Sequence, residues 1–268
     1  MAQCDVSIVT TTLNCEGSIP QLLSSVRELK KALAPDLSIE FVVSDGASRD
    51  RTTEMLRQAS DVVDKLVIKK DKSAPEGLNN AMREASGYRA VVLNADDWPE
   101  IDGWLDAKTV LKKRDNTVLF GSVFYHHSNA KKVLRLSRPE ELRKNMTVWH
   151  VAMFVPMAFL AELGMLSTAY KYAPDYDLAL KLFVRGYPFK VIEYPTCNVA
   201  AGGVTDIHWV RALGEVKRVK ETVGRRGLVL STLEYLKALC SHGLSNAAHK
   251  IGLGSVVEMA KGRKLLSG

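Results

Sequence analysis

The sequence predicts an α/β fold, a doubly wound and mostly parallel sheet followed by a basic helical extension. Three observations carry this. Over the first hundred residues, apolar runs of four or five alternate with stretches whose apolar residues recur every three or four positions. Two of the apolar runs end directly in acids, at Ser44-Asp45-Gly46 and at Asn94-Ala95-Asp96-Asp97. Positive charge is gathered at one end of the chain. The 268 residues carry a formal net charge of +7, and residues 207–268 supply all of it with 11 Lys plus Arg against 4 Asp plus Glu, while residues 1–206 hold 26 of each.

Taken in order, residues 6–10 form the first strand, and Ser18-Ile19-Pro20 opens an amphipathic helix through Leu22, Leu23, Val26, Leu29 and Leu33. Residues 39–43 are a second buried strand. Asp50-Arg51-Thr52-Thr53 then precedes a helix through Met55, Leu56 and Ala59. Residues 65–69 form a third strand, Pro75 and Gly77 mark a loop, and a helix is predicted over about 78–85. Residues 90–93 are a fourth strand, apolar throughout as in a strand covered on both faces. A helix through Trp104, Leu105 and Leu111 follows the acidic motif, then strands at 118–120 and 133–136. The segments 151–154 and 159–163 lead to Gly164, a helix stop. A further helix starts near Asp175, carries Leu178, Leu180, Leu182 and Phe183, and ends at Arg185-Gly186. Residues 189–193 read as a strand, Gly202-Gly203 as a flexible loop, and from Trp209 the pattern is helical and increasingly basic.

Composition narrows the function classes. With 46% hydrophobic and 25% charged residues the chain suits a globular protein with a large core. The amino terminus runs straight into a strand without a basic then apolar leader, so a cytoplasmic location is expected. The most apolar long stretch, 148–166, is interrupted by His150, Pro156 and Glu162, which disfavours a membrane span. Cys4, Cys15, Cys197 and Cys240 have neither zinc spacing nor a disulfide pattern. The basic tail lacks a nucleic-acid motif, and its alternation of Leu-rich and Lys/Arg-rich stretches fits a helix on the anionic inner face of a membrane, or equally a solvated helical face.

Acids at the carboxyl ends of parallel strands lie where open α/β sheets bind ligands. Asp96 and Asp97 repel each other, and a hard divalent cation relieves such a pair. The same motif with Trp98-Pro99 also suits an exposed turn. Asp45 and Asp96 can meet in one crevice and hold a nucleotide at two points, base or ribose at the first and a metal-bound diphosphate at the second. The first turn, Thr10-Thr11-Thr12-Leu13-Asn14, lacks a Gly-x-Gly-x-x-Gly fingerprint, which disfavours a dinucleotide.

Five motifs in order then carry a resemblance: residues 7–14, Val43-Ser44-Asp45-Gly46 through Thr52, Ala85-Ser86-Gly87 leading to Asn94-Ala95-Asp96-Asp97-Trp98, Trp149-His150 through Phe154 with Glu162-Leu163-Gly164, and Ala173-Pro174-Asp175-Tyr176-Asp177. Together they resemble the family 2 glycosyltransferases over roughly the first 205 residues. The resemblance implies the A-type glycosyltransferase fold, with residues 1–206 as the catalytic domain (about 1–100 for the nucleotide-sugar, about 101–206 for the acceptor) and 207–268 as the extension. It implies that Thr10 and Thr12 contact the nucleotide, that Asp45 bonds the base, typically uracil, and that Asp96 binds Mg²⁺ or Mn²⁺. Asn94 stands where the family has the first acid of its Asp-x-Asp motif, with Asp97 as the neighbour that compensates. Asp175 matches the general base of inverting members, with Pro174 in place of the usual Glu.

His150 falls where similar sequences often have histidine, and either lines the acceptor pocket or is structural. Trp98 and Trp104 either floor a sugar site or pack the core, and Asp177 is either an acceptor-side acid or a first-turn acid favoured by the helix dipole. His208 can reach a diphosphate if the 202–205 loop folds over the donor. The expected protein is an inverting, metal-dependent enzyme moving one sugar from a UDP-linked donor to a glycan or lipid-linked acceptor in surface polysaccharide synthesis. The alternatives are a sugar nucleotidyltransferase and a non-catalytic nucleotide-sugar-binding homologue.

Overall fold

The computed structural model of the chain describes residues 3–127, 131–202, 208–224 and 227–250. In chain order the elements are β1 (Cys4–Thr12), α1 (Ile19–Leu33), β2 (Ile39–Asp45), α2 (Thr52–Gln58), β3 (Lys65–Ile68), α3 (Ala74–Glu84), β4 (Gly87–Val92), β5 (Trp98–Pro99) and α4 (Ile101–Lys112). These are followed by β6 (Val118–His126), β7 (Lys132–Arg135), β8 (Met153–Pro156), α5 (Met157–Leu163), α6 (Pro174–Val184), β9 (Phe189–Ala200), α7 (Trp209–Thr222) and α8 (Leu228–Lys250).

The strands form one curled sheet in the order β3-β2-β1-β4-β8-β6-β9-β5, with β7 beside β6. Parallel pairing covers most of it: β1 with β2 and β4, β2 with β3, and β6 with β9. The contacts of β8 with β4 and β6, of β5 with β9 and of β7 with β6 are antiparallel. Register sets the carboxyl ends of β1, β2 and β4 side by side, with Val9 opposite Val92 and Thr12 opposite Asp45. That is the crevice at which an open parallel sheet receives a ligand.

Successive side chains of each strand serve opposite faces. Val6, Ile8, Phe41, Val43, Val91 and Leu93 pack beneath α1, α2 and α4, whereas Val9, Val42, Ala90 and Val92 pack against α3, α5, α6 and α7. Helix α1 buries Ile19, Leu22, Leu23, Val26, Leu29 and Leu33 at helical spacing, each fully buried side chain stabilising by about 1.5–3 kcal/mol. Helix α7 belongs to this body, since Val219 is fully buried in the second core.

Two elements differ in extent, β5 (Trp98–Pro99) being an added short strand and β6 running past residue 120 to His126, and three further differences have a local cause. Helix α3 begins four residues early, because Pro75 occupies its first turn, where a missing N–H costs nothing, and the Ser73 hydroxyl accepts from the Glu76 N–H. Gly77 lies inside that helix because α3 crosses β1 closely: a Cβ there would stand 2.1 Å from Thr11 Oγ1. Strand β9 runs on past residue 193 to Ala200, and its Pro195 is absorbed at a register shift opposite Ser122. Strand β4 begins at Gly87 and so includes Arg89, whose fully buried guanidinium donates to the carbonyls of Leu111, Lys113, Asp115 and Thr117 and closes the carboxyl end of α4.

Candidate active site

The strand ends are tied together before any ligand arrives. Thr10 is fully buried and its hydroxyl donates to the Leu93 carbonyl (2.7 Å), fastening β1 to the end of β4. Thr12 donates to Asp45 Oδ2 (2.9 Å). Asp45 also accepts from the Ser48 N–H (2.9 Å), the Ser48 hydroxyl (2.7 Å) and the Thr53 hydroxyl (2.7 Å). Burial pushes its carboxyl upward, but these donors outweigh it and hold the group below the usual carboxylate range. The side chains of Thr10, Thr12 and Asp45, expected at the nucleotide, thus serve the sheet and the β2–α2 turn in this structure.

The acidic motif turns sharply after β4, with the Asp97 N–H donating to the Asn94 carbonyl. The turn separates its two acids. Asp96 is exposed, whereas Asp97 is only 2% exposed and points back into the fold. Its Oδ1 accepts from the Ala200 N–H (3.0 Å) and its Oδ2 from Asn94 Nδ2 (2.9 Å). Burial, opposed by the Ala200 hydrogen bond and reinforced by the Asp96 charge, raises the Asp97 carboxyl to about 6. Asn94 therefore has a positive role: its amide gives the buried carboxylate a donor that an aspartate there would lack.

With its Nδ2 directed to Asp97, Asn94 turns Oδ1 toward His150 Nε2 (3.3 Å). The other ring nitrogen of His150, Nδ1, lies 3.4 Å from Asp175 Oδ2. Both ring partners are acceptors, so the network is satisfied when both nitrogens carry protons, as an imidazolium. Burial opposes that charge, but Asp175, Asp97 and Asp96 outweigh it and raise the imidazole above its ordinary value. One imidazole thereby joins the end of β4 to the first turn of α6, where Asp175 Oδ1 also accepts the Tyr176 N–H (2.9 Å).

The remaining candidates are dispersed. Asp177 is 2% exposed and paired with Lys181 (2.5 Å) one turn along α6, away from Asp175. Trp98 rests on His126 with ring centroids 4.9 Å apart, beside the acidic turn. Trp104 is core, edge-on to Phe154, with its indole N–H donating to the Thr196 carbonyl. His208 is exposed at the start of α7 and contacts Tyr172. Of the loop that was expected to carry it over a donor, Gly203, Val204 and Thr205 lie outside the described residues.

Residues 7–166 match the model of the Glycosyl transferase family 2. The chain belongs to this family. No curated protein matches it in sequence. Among solved structures it is similar in fold to S. aureus TarS 1-349 in complex with UDP-GlcNAc, with a TM-score of 0.62 and 15% identity over 87% of this chain and 71% of that one. It is also similar to the mannosyltransferase PcManGT from Pyrobaculum calidifontis in complex with GDP-Man and Mn²⁺, with a TM-score of 0.61 and 21% identity over 99% of this chain and 81% of that one.

For this family 2 glycosyltransferase, two residues at the crevice escaped sequence reasoning. Asp71, just past β3, has its carboxylate 3.0 Å from where a Cβ on Gly46 would sit and 2.8 Å from one on Gly77. Burial, then the charges of Glu76 and Asp45, raise its carboxyl. The rule that singled out Asp45 and Asp96, an acid at the carboxyl end of a parallel strand, finds Asp71 when applied to β3. The Ala200 N–H on Asp97 had no side-chain signal to find.

Among the described residues no cluster of three His, Cys, Asp or Glu is arranged to hold a metal ion. The exposed Asp96 still fits a cation whose other ligands come from a donor's diphosphate, since Mg²⁺-type sites of that kind use only one or two protein carboxylates. A buried carboxylate with a raised titration point beside a like charge is the group that such an ion would relieve.

Proposed function

We propose that the protein is an inverting glycosyltransferase that moves a single sugar from a UDP-linked donor to a hydroxyl of a glycan or lipid-linked acceptor in surface polysaccharide synthesis. The observation that carries this is the His150 bridge, which sets Asp175 across the crevice from the acidic turn. Asp175 is the base, taking the acceptor hydroxyl proton as that oxygen attacks the anomeric carbon and the nucleoside diphosphate departs. His150 holds Asp175 in place. Asp96 would hold Mg²⁺ or Mn²⁺, which would supply positive charge to the diphosphate, with the buried Asp97 adding its negative charge behind. Asp45 and Asp71 border the nucleoside end, and Trp98 offers a ring to the acceptor side. Support for a nucleotide-sugar donor comes from the fold, whose solved examples include complexes with UDP-GlcNAc and GDP-Man.

The extension fits a lipid-linked acceptor. No helix of the described residues is long and apolar enough to cross a membrane. Helix α8, however, exposes Leu228, Val229, Leu230, Leu233 and Leu236, and it lies in the segment that carries the net positive charge. Apolar side chains entering the headgroup region with cations beside anionic lipid would seat the enzyme on the inner face of a membrane.

The test is nucleoside diphosphate release from a panel of UDP- and GDP-sugars with Mn²⁺ or with EDTA. Turnover abolished by Asp175→Asn supports the transferase. Donor binding without turnover in the wild-type protein would instead establish the non-catalytic homologue.

A further inference from the structure

The segment that delivers Asp175 to the crevice has no capping side chain of its own. Helix α6 starts after Ala173, which has no side-chain oxygen, and its first residue is Pro174, which has no N–H. The three backbone donors before it are nevertheless satisfied, all by one carboxylate from another helix. Glu215 of α7 accepts from Lys171 N–H through Oε1 (3.0 Å), and from Tyr172 N–H (2.6 Å) and Ala173 N–H (3.0 Å) through Oε2. Three charge-assisted hydrogen bonds to successive amides fix the course of the chain more firmly than any single cap.

The rest of α7 supports the same loop. The Tyr170 hydroxyl meets Thr222 Oγ1 (3.2 Å), the Arg218 guanidinium lies over the Tyr170 ring, and His208 contacts Tyr172. Helix α7 is itself anchored by Ala212 and Val219, both buried in the body. It lies beyond residues 7–166, the part of the chain that matches the family model.

We infer that Glu215 is a positioning residue for catalysis: it holds residues 171–173 so that Asp175 reaches His150 and the acceptor hydroxyl. This rests on the reading of Asp175 as the base. Replacement by glutamine keeps the length but exchanges one acceptor oxygen for a donor that faces N–H groups, so the clamp opens without an emptied volume. The bound donor is held at the ends of β1, β2 and β4, which Glu215 does not touch.

The experiment compares Glu215→Gln, Glu215→Asp and Asp175→Asn in the full chain, each alone, with Glu215→Gln also combined with Asp175→Asn. Donor KM and UDP binding are measured beside kcat. Glu215→Gln is expected to lower kcat at least about tenfold, the scale of a small misplacement of a reacting group, with donor KM and UDP affinity within about twofold and partial recovery in Glu215→Asp. Added to Asp175→Asn, it should lower the residual kcat no further. An unchanged kcat in Glu215→Gln overturns the inference, as does an equal further loss on the Asp175→Asn background. Parallel loss of UDP binding and kcat in both Glu215 variants also overturns it, by assigning Glu215 to fold stability alone. A wild-type kcat in Asp175→Asn would remove the base assignment itself, an outcome separate from these.

Discussion

Nδ1 of His150 stands 3.4 Å from Oδ2 of Asp175, while the opposite ring nitrogen meets the Asn94 amide oxygen. The amide in turn donates to Asp97, so a continuous polar chain runs from the buried acid of the β4 turn to the first turn of α6. A ring protonated on both nitrogens donates at both ends of this chain. His150→Ala should lower kcat about 10- to 100-fold, as misplaced reacting groups do, with little change in donor KM. Steady-state kinetics at fixed Mn²⁺ check this, and a proportional rise in donor KM would assign His150 to the donor instead.

Asn94→Asp exchanges the amide donor for an acid and would set another carboxylate against Asp97. Without metal the variant should be less stable by about 1–3 kcal/mol at pH 7.5, the cost of depriving the buried Asp97 of its side-chain donor. Added Mn²⁺ should recover more stability than it gives the wild type. Thermal denaturation with and without Mn²⁺ reads both effects.

The raised Asp97 carboxyl gives metal binding a defined pH dependence. A cation on Asp96 favours the ionised form of Asp97 behind it, so Mn²⁺-dependent donor affinity should weaken by up to about tenfold per pH unit below about 6 and level off above it. Stability of the metal-free protein runs the other way. A group titrating higher in the folded state than in the unfolded chain stabilises at low pH, and its contribution is lost as pH rises through the folded value, here about 6. The raised His150 imidazole acts in the same sense at higher pH, its contribution being complete below the ordinary histidine value and lost as pH rises through its folded value. Titration calorimetry at several pH values, with Asp97→Asn as the pH-independent control, checks the binding half.

Removal of residues 228–268 should release the protein from anionic liposomes while leaving turnover of a soluble acceptor analogue unchanged. Removal from residue 207 should instead destabilise the body, because it takes away the buried Val219 and the Glu215 clamp. Co-sedimentation and thermal melts separate the two truncations. Undiminished liposome binding by the shorter deletion would sink the membrane role of α8.

Much of this was legible from local pattern. Alternating apolar periods placed the first four strands and their helices, because burial on a sheet face or a helix stripe leaves a period of two or of 3.6. Pro75 and Gly77 misled because both also serve inside a helix, one in its first turn and one at a close crossing, and only the neighbouring β1 reveals which applies. Arg89 hid at the edge of an apolar run, since a buried guanidinium is tolerated only when distant carbonyls converge on it.

The sequence by itself determined the α/β order, the acids at the strand ends and the family to which the chain belongs, all properties of residues close together along the chain. Only the tertiary structure decided which acid of the turn is buried, why Asn94 suits that place, and which residues hold Asp175. Those answers depend on the direction of single hydrogen bonds between segments far apart in sequence, namely Ala200 to Asp97, His150 to Asn94 and Asp175, and Glu215 to the loop before α6. No periodicity encodes such contacts; they exist once the sheet has curled and α7 has docked.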